Sequence, residues 1–204
     1  MAAVAKEQLK SPRARLFVAL DLPEATREGL VAWGEEALAD PALRSVAAES
    51  LHITLAFLGH RPEQEIEAIA DVMRESIGPA PWVELRDPEQ RPSRGRARLF
   101  ALPAISPGAE ALQAGLQQRL VNEGFYEPEK RPFWPHVTVA RVRSEAGDRG
   151  GRRSSRSLRD RSRRSWRSPG LLSGWLFIVL NSSQPVRAMC RWPKSSCPEG
   201  AAVR

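Results

Sequence analysis

Two of the three histidines in this chain stand in the same local pattern. One lies in Leu51-His52-Ile53-Thr54-Leu55, the other in Pro135-His136-Val137-Thr138-Val139. In an extended strand, successive side chains point to opposite faces, so His52 and Thr54 share a face, as do His136 and Thr138. A lone strand histidine is more often structural than chemical; a repeat of the whole tripeptide reverses that weighting. An imidazole has an ordinary pKa near 6.5, so of two facing each other one can be neutral and the other protonated near pH 7. The neutral ring takes a proton from water, and the charged ring gives one to a leaving oxygen. Two threonine hydroxyls beside them can donate hydrogen bonds to an anion held between.

The rest of the sequence narrows the chemistry by what it lacks. No paired carboxylates or Cys/His/Asp cluster accompany the histidines, and Cys190 and Cys197 have no histidine nearby, so neither a metal nor a disulfide scaffold is expected. No nucleophile elbow is present, which argues against covalent catalysis. Neither a P-loop nor a G-x-G-x-x-G occurs, so no nucleotide cofactor is expected. Metal-free acid/base chemistry on an oxyanion remains, and hydrolysis of a phosphodiester fits it best.

The elements that must position these residues are legible up to about residue 143. Arg15 to Leu20 reads as a buried strand. Asp21 is placed to cap a following helix, with Pro23 in its first turn and Leu30, Trp33, Ala37 and Leu38 at helical spacing. Leu51 to Leu58 forms a second strand closed by Gly59. Pro62 opens a second helix with Ile66, Ile69, Met73 and Ile77 as its apolar stripe. Short strands follow at Trp82–Arg86 and Arg98–Leu102. Ser106-Pro107 starts a third helix, with Leu112, Leu116 and Leu120 on one side and Gly124 as its stop. His136 to Val142 is the last strand. This order predicts an α+β fold of two related halves, with the two histidine strands brought to one cleft.

Charge is unevenly distributed along the 204 residues. Residues 1–140 hold 16 Lys+Arg against 20 Asp+Glu, a net of −4, while 141–168 hold 11 Arg against 3 acids, a net of +8. The overall +7 therefore belongs to the last third, and a uniformly basic nucleic-acid surface is excluded. No apolar run approaches the length of a membrane span, and the N-terminus lacks a secretory h-region, so a cytoplasmic, non-membrane protein is expected. Oligomeric state has no sequence signal here, and a monomer is the default.

The stretches RLFVALDLP (15–23), ESLHITLAFLG (49–59) and RPFWPHVTVAR (131–141) resemble the RNA 2′,3′-cyclic phosphodiesterase family of the 2H phosphoesterase superfamily, once described as 2′-5′ RNA ligases. The likeness runs from about Arg15 to Arg143. It implies a bilobal duplication, each lobe an antiparallel sheet backed by helices, and hydrolysis of a terminal 2′,3′-cyclic phosphate to a 2′-phosphomonoester. RNA ends or cyclic nucleotides would be the substrates. By motif position His52 resembles the proton donor to the leaving 3′ oxygen, and His136 the base that activates water. Thr54 and Thr138 would hold the non-bridging phosphate oxygens, and Arg141 matches a phosphate-contacting arginine. Simple alternation, however, puts Arg141 on the face opposite His136, so a bulge or a strand end is needed there. The same alternation sends Phe57 to the core. Phe17 and Trp134 are expected to be structural, with Trp134 near enough to His136 to line the cleft. His60 is expected at the surface, in a turn.

Beyond residue 143 the chain departs from the family. Residues 144–170 are mostly Arg, Ser and Gly and read as disordered. Residues 171–204 form an atypical tail with one strand expected at 174–180. The abrupt charge shift suggests a change of reading frame after about residue 145. A sheet deprived of its native last strands would have an open edge, which Trp175–Leu180 is placed to patch. Two rival readings stay open at this point: an RNA-end or nucleotide-phosphate binder that has lost catalysis, and nonspecific RNA association through the Arg/Ser-rich segment.

Overall fold

The computed structural model describes residues 12–76, 78, 81–94 and 96–143, and the backbone of 176–180 and 188–190. Strand β1 (Arg13–Asp21) leads through Leu22-Pro23 into helix α1 (Glu24–Ala37). Then come β2 (Leu43–Ser45), a 3₁₀ turn at Ala48–Ser50, and the long strand β3 (His52–Pro62). A 3₁₀ turn at Glu63–Glu65 precedes α2 (Ile66–Glu75). Strands β4 (Glu84–Leu85), β5 (Glu89–Arg91) and β6 (Leu99–Ile105) are followed by α3 (Pro107–Asn122) and β7 (His136–Val142). The last described strands are β8 (Leu176–Leu180) and β9 (Ala188–Cys190).

All described strand pairs are antiparallel. In one half β3, β1, β8 and β9 lie side by side; in the other, β7 is flanked by β6 and β2, and β6 pairs with β4 and β5. The expected duplication is therefore present, but the halves share one continuous sheet. They meet where β3 pairs with β7, at Ile53 and Val137. Both residues are fully buried, within a core that includes Leu16, Val18, Leu20, Phe100 and Leu102. The helices pack on this core face through Leu30, Ile69, Met73, Leu116 and Leu120.

Several local expectations needed correction. Asp21 does not cap α1. Its buried carboxylate is bound by Arg27 at 2.8 Å, and Pro23 occupies the cap position. Proline has no side-chain acceptor to offer, and its carbonyl takes the first bonds of the helix, from the Thr26 and Arg27 N–H groups at 3.0 Å. Gly59 does not end β3. It adopts φ +72° within the strand, which runs on to Pro62, and His60 is accordingly an exposed strand residue, not a turn residue. Pro62 is followed by a 3₁₀ turn before α2 begins. Ser106 does cap α3, accepting from the Ala109 N–H at 3.0 Å. The strand expected at Trp82–Arg86 shortens to Glu84–Leu85, and the following one is displaced to Leu99–Ile105. β2 and β5, three residues each, carry too little periodicity to be read from sequence. The strand expected at 174–180 is present as β8, antiparallel to β1 with Leu16 opposite Leu180 and Leu20 opposite Leu176. Residues 144–170 and Ile77 lie outside the described residues.

Candidate active site

The Ile53–Val137 pair is the middle of both His-x-Thr tripeptides. Continuing that antiparallel register by one residue either way sets His52 across from Thr138, and Thr54 across from His136. Ile53 and Val137 point to the core, so the four polar side chains share the opposite face. All four are partly exposed.

Beyond the tripeptides, each strand breaks its alternation at the same place. In β3, Val18 pairs with Ala56 and Ala19 with Thr54, so Leu55 is the extra residue of a β-bulge. In β7, Phe100 pairs with Ala140 and Ala101 with Thr138, so Val139 is the extra residue. Both bulges fall three residues after a histidine, and Leu55 and Val139 are both buried. A bulge of this kind re-aims the side chains that follow it. It returns Phe57 and Arg141, each five residues after its histidine, to the histidine face. For Arg141 the expectation was a bulge or a strand end, and it is a bulge. For Phe57 it overturns the expectation of core packing: the ring is 52% exposed and its register partner on β1 is Phe17.

Each imidazole is backed by an aromatic ring. Phe17 stacks on His52 with centroids 4.9 Å apart, and Phe57 lies 6.0 Å beyond Phe17. Trp134 stacks on His136 at 3.9 Å, and the Arg91 guanidinium sits over that indole, 4.0 Å from the ring centre. Phe17 and Trp134 are thus structural in a specific sense, since they hold the plane of each histidine. Arg91 in this role was not anticipated. It lies on β5, distant in sequence from either motif, and no local pattern marks it.

Each imidazole bonds a main-chain carbonyl two residues before it. His136 Nδ1 lies 2.7 Å from the Trp134 carbonyl, two residues before it, which places the proton on Nδ1 and leaves Nε2 as the free nitrogen. His52 bonds the carbonyl of Ser50, again two residues before. Burial lowers the pKa of His52 to about 4; the Ser50 carbonyl opposes this, and the charges of His136 and Arg141 add to the lowering. His136 is lowered too, by burial first and then by Arg91, against the raising effect of the Trp134 carbonyl. Both shifts favour the uncharged ring before an anion arrives. The reason is that each imidazolium would be partly desolvated beside further positive charge.

Among the described residues, no three His, Cys, Asp or Glu side chains are grouped as a metal ion would need, and no helix is long and apolar enough to cross a membrane. The site groups two hydroxyl donors, two imidazoles with free nitrogens and one guanidinium. That set can hold a phosphoryl group and move protons on either side of it.

Comparison with known proteins bears on this geometry. The family model described as "2'-5' RNA ligase superfamily" matches residues 22–149. A Thermus thermophilus protein named RNA 2',3'-cyclic phosphodiesterase is 35% identical over 139 residues, 65% of this chain and 70% of that one. An Escherichia coli protein of the same name is 34% identical over 132 residues, 65% of this chain and 74% of that one. The crystal structure of TT0787 from Thermus thermophilus matches with a TM-score of 0.61 at 28% identity, covering 86% of this chain and 94% of the other.

Proposed function

This chain belongs to the 2'-5' RNA ligase superfamily, and from that footing we propose that it hydrolyses terminal RNA 2′,3′-cyclic phosphates to 2′-phosphomonoesters without a metal ion. The observation that carries the reading is the register at Ile53–Val137, which sets each histidine against the other strand's threonine around one point.

In this mechanism the cyclic phosphate sits between the two tripeptides. The Thr54 and Thr138 hydroxyls donate to its non-bridging oxygens, and Arg141 adds charge-assisted contact. His136 Nε2 takes a proton from water as the water oxygen bonds to phosphorus. The P–O3′ bond breaks, and His52 delivers its proton to O3′. The 2′ ester remains, and the net proton count is unchanged. The anionic phosphate brings negative charge beside His52, so it raises the pKa of that ring and lets it load the proton it must give. Phe57, exposed on the same face beyond Phe17, offers a flat apolar surface on which a nucleobase stacks.

The test is turnover of an RNA oligonucleotide ending in a 2′,3′-cyclic phosphate, with and without chelator. Chelator-resistant formation of a 2′-phosphomonoester is expected. Activity that needs an added divalent ion, or a 3′-phosphate as sole product, defeats the proposal.

A further inference from the structure

The seam where β7 meets β3 does not end at the two His/Thr pairs. Further along β7, β2 takes the place of β3, and Arg44 pairs directly with Arg141. Leu43 and Val142, the neighbouring pair, turn to the core, so Arg44 and Arg141 stand on the histidine face. The seam thus presents three successive cross-strand pairs: Thr54 with His136, His52 with Thr138, and Arg44 with Arg141. Like charges directly opposite one another destabilise a sheet unless something neutralises them. Both arginines are exposed, and among the described residues neither is in an ion pair. The net charge of residues 1–140 is negative, so this doublet is a local feature and not part of a basic surface.

Neighbouring arginines do not share its situation. Arg143 is turned back, its Nε bonded to the Leu43 carbonyl at 3.1 Å. Arg91, in the same cross-strand row through Leu99, is engaged with the Trp134 ring and with Glu89 at 3.0 Å. Arg44 is the cation left facing outward, with Arg141 between it and Arg91 in the row.

We propose that Arg44 binds the phosphodiester immediately upstream of the terminal cyclic phosphate, so that this protein selects polynucleotide ends over free cyclic nucleotides. This rests on the reading of the His/Thr pairs as the terminal-phosphate site. The His/Thr pairs fill that role at one end of the seam, and the Arg pair lies three residues further along β7, roughly 7–10 Å at an extended rise. That is on the scale of one nucleotide step. A strand laid along the seam meets the cyclic phosphate at the His/Thr pairs, where Arg141 reaches it, and the next phosphate at Arg44. A mononucleotide has no group to reach Arg44.

The experiment compares kcat/KM for an oligoribonucleotide with a 2′,3′-cyclic end and for a 2′,3′-cyclic mononucleotide, in the full chain and in Arg44→Gln. The oligonucleotide-to-mononucleotide ratio is expected to fall about 5–10-fold in Arg44→Gln. The dependence of oligonucleotide kcat/KM on salt should flatten by about 0.7 in log–log slope, the loss of one single-strand phosphate contact. Arg86→Gln, exposed and paired with Glu84 away from the seam, is the control and should leave the ratio unchanged. An equal loss on both substrates would assign Arg44 to the terminal phosphate and overturn the proposal; no change in the ratio would overturn it too. Anisotropy of a labelled oligonucleotide bearing a 2′-phosphomonoester end separates the two readings. If the chain turns over no cyclic phosphate yet Arg44→Gln still weakens this binding 5–10-fold, the catalytic reading fails and the upstream seat stands. Should Arg44→Gln not fold, Arg44→Lys, which keeps the charge without the planar fork, is expected to lose about half the effect.

Discussion

Leu55 and Val139 are equivalent: each is the extra residue of a β-bulge three positions after a histidine, one in each half of the fold. Their consequence is chemical. Without them Phe57 and Arg141 would enter the core, where an arginine is intolerable and a phenylalanine ordinary. With them, both join the face that carries the histidines.

The first prediction concerns the histidines themselves. His52→Ala and His136→Ala should each lower kcat for cyclic-phosphate hydrolysis about 10²–10⁴-fold, the usual weight of a proton-transfer group. Activity surviving in either variant at more than a tenth of wild type would remove that residue from the mechanism.

Replacing hydroxyls by methyls isolates the threonines. Thr54→Val and Thr138→Val preserve shape and strand propensity, so melting temperature should change little, while kcat/KM drops about 10-fold per lost hydrogen bond to the charged phosphate. Equal kcat/KM in the variants would show that the hydroxyls do not touch the substrate.

The pKa directions predict an acid-shifted rate profile. In kcat/KM, which reports the free protein, the bell should centre below pH 6.5, between His52 at about 4 and the lowered value of His136. In kcat the limbs should move to higher pH, because bound phosphate raises both rings. Coincident profiles for the two parameters would contradict this.

Stability follows from the same shift. His52 titrates near 4 in the folded chain and near 6.5 when unfolded, so the unfolded state binds more protons between these values. Folding stability should fall as pH drops through this window, by about 3 kcal/mol from this one group, and level off below pH 4. Chemical denaturation of wild type and His52→Gln from pH 7 to 4 tests it. The variant should lack that portion of the loss, and inorganic phosphate should restore part of it in wild type only. Parallel pH dependences in the two proteins would refute the shift.

Phe57→Ala distinguishes an exposed ring from a packed one. A core phenylalanine costs about 3–5 kcal/mol when truncated. Here the expected cost is below about 1 kcal/mol, with a rise in KM for cyclic nucleotides. A large loss of stability would place Phe57 back in the core.

Much of this was legible in the sequence because it is local. The repeated His-x-Thr, read with the two-residue period of a strand, sufficed to name His52, Thr54, His136 and Thr138 and to set Ile53 and Val137 to the core. Ser106-Pro107 and Gly124 delimited α3, because a capping hydroxyl and a positive φ act within a few residues. What only the tertiary structure decided was pairing. A bulge exists relative to a partner strand, and the apolar runs Leu55-Ala56-Phe57-Leu58 and Val139-Ala140 conceal which residues are extra, Leu55 and Leu58 in the first and Val139 in the second. The stacking of Arg91 on Trp134 and the meeting of Arg44 with Arg141 join segments far apart in the chain. Such contacts are set by strand register across the whole sheet, and neighbouring residues carry no trace of them.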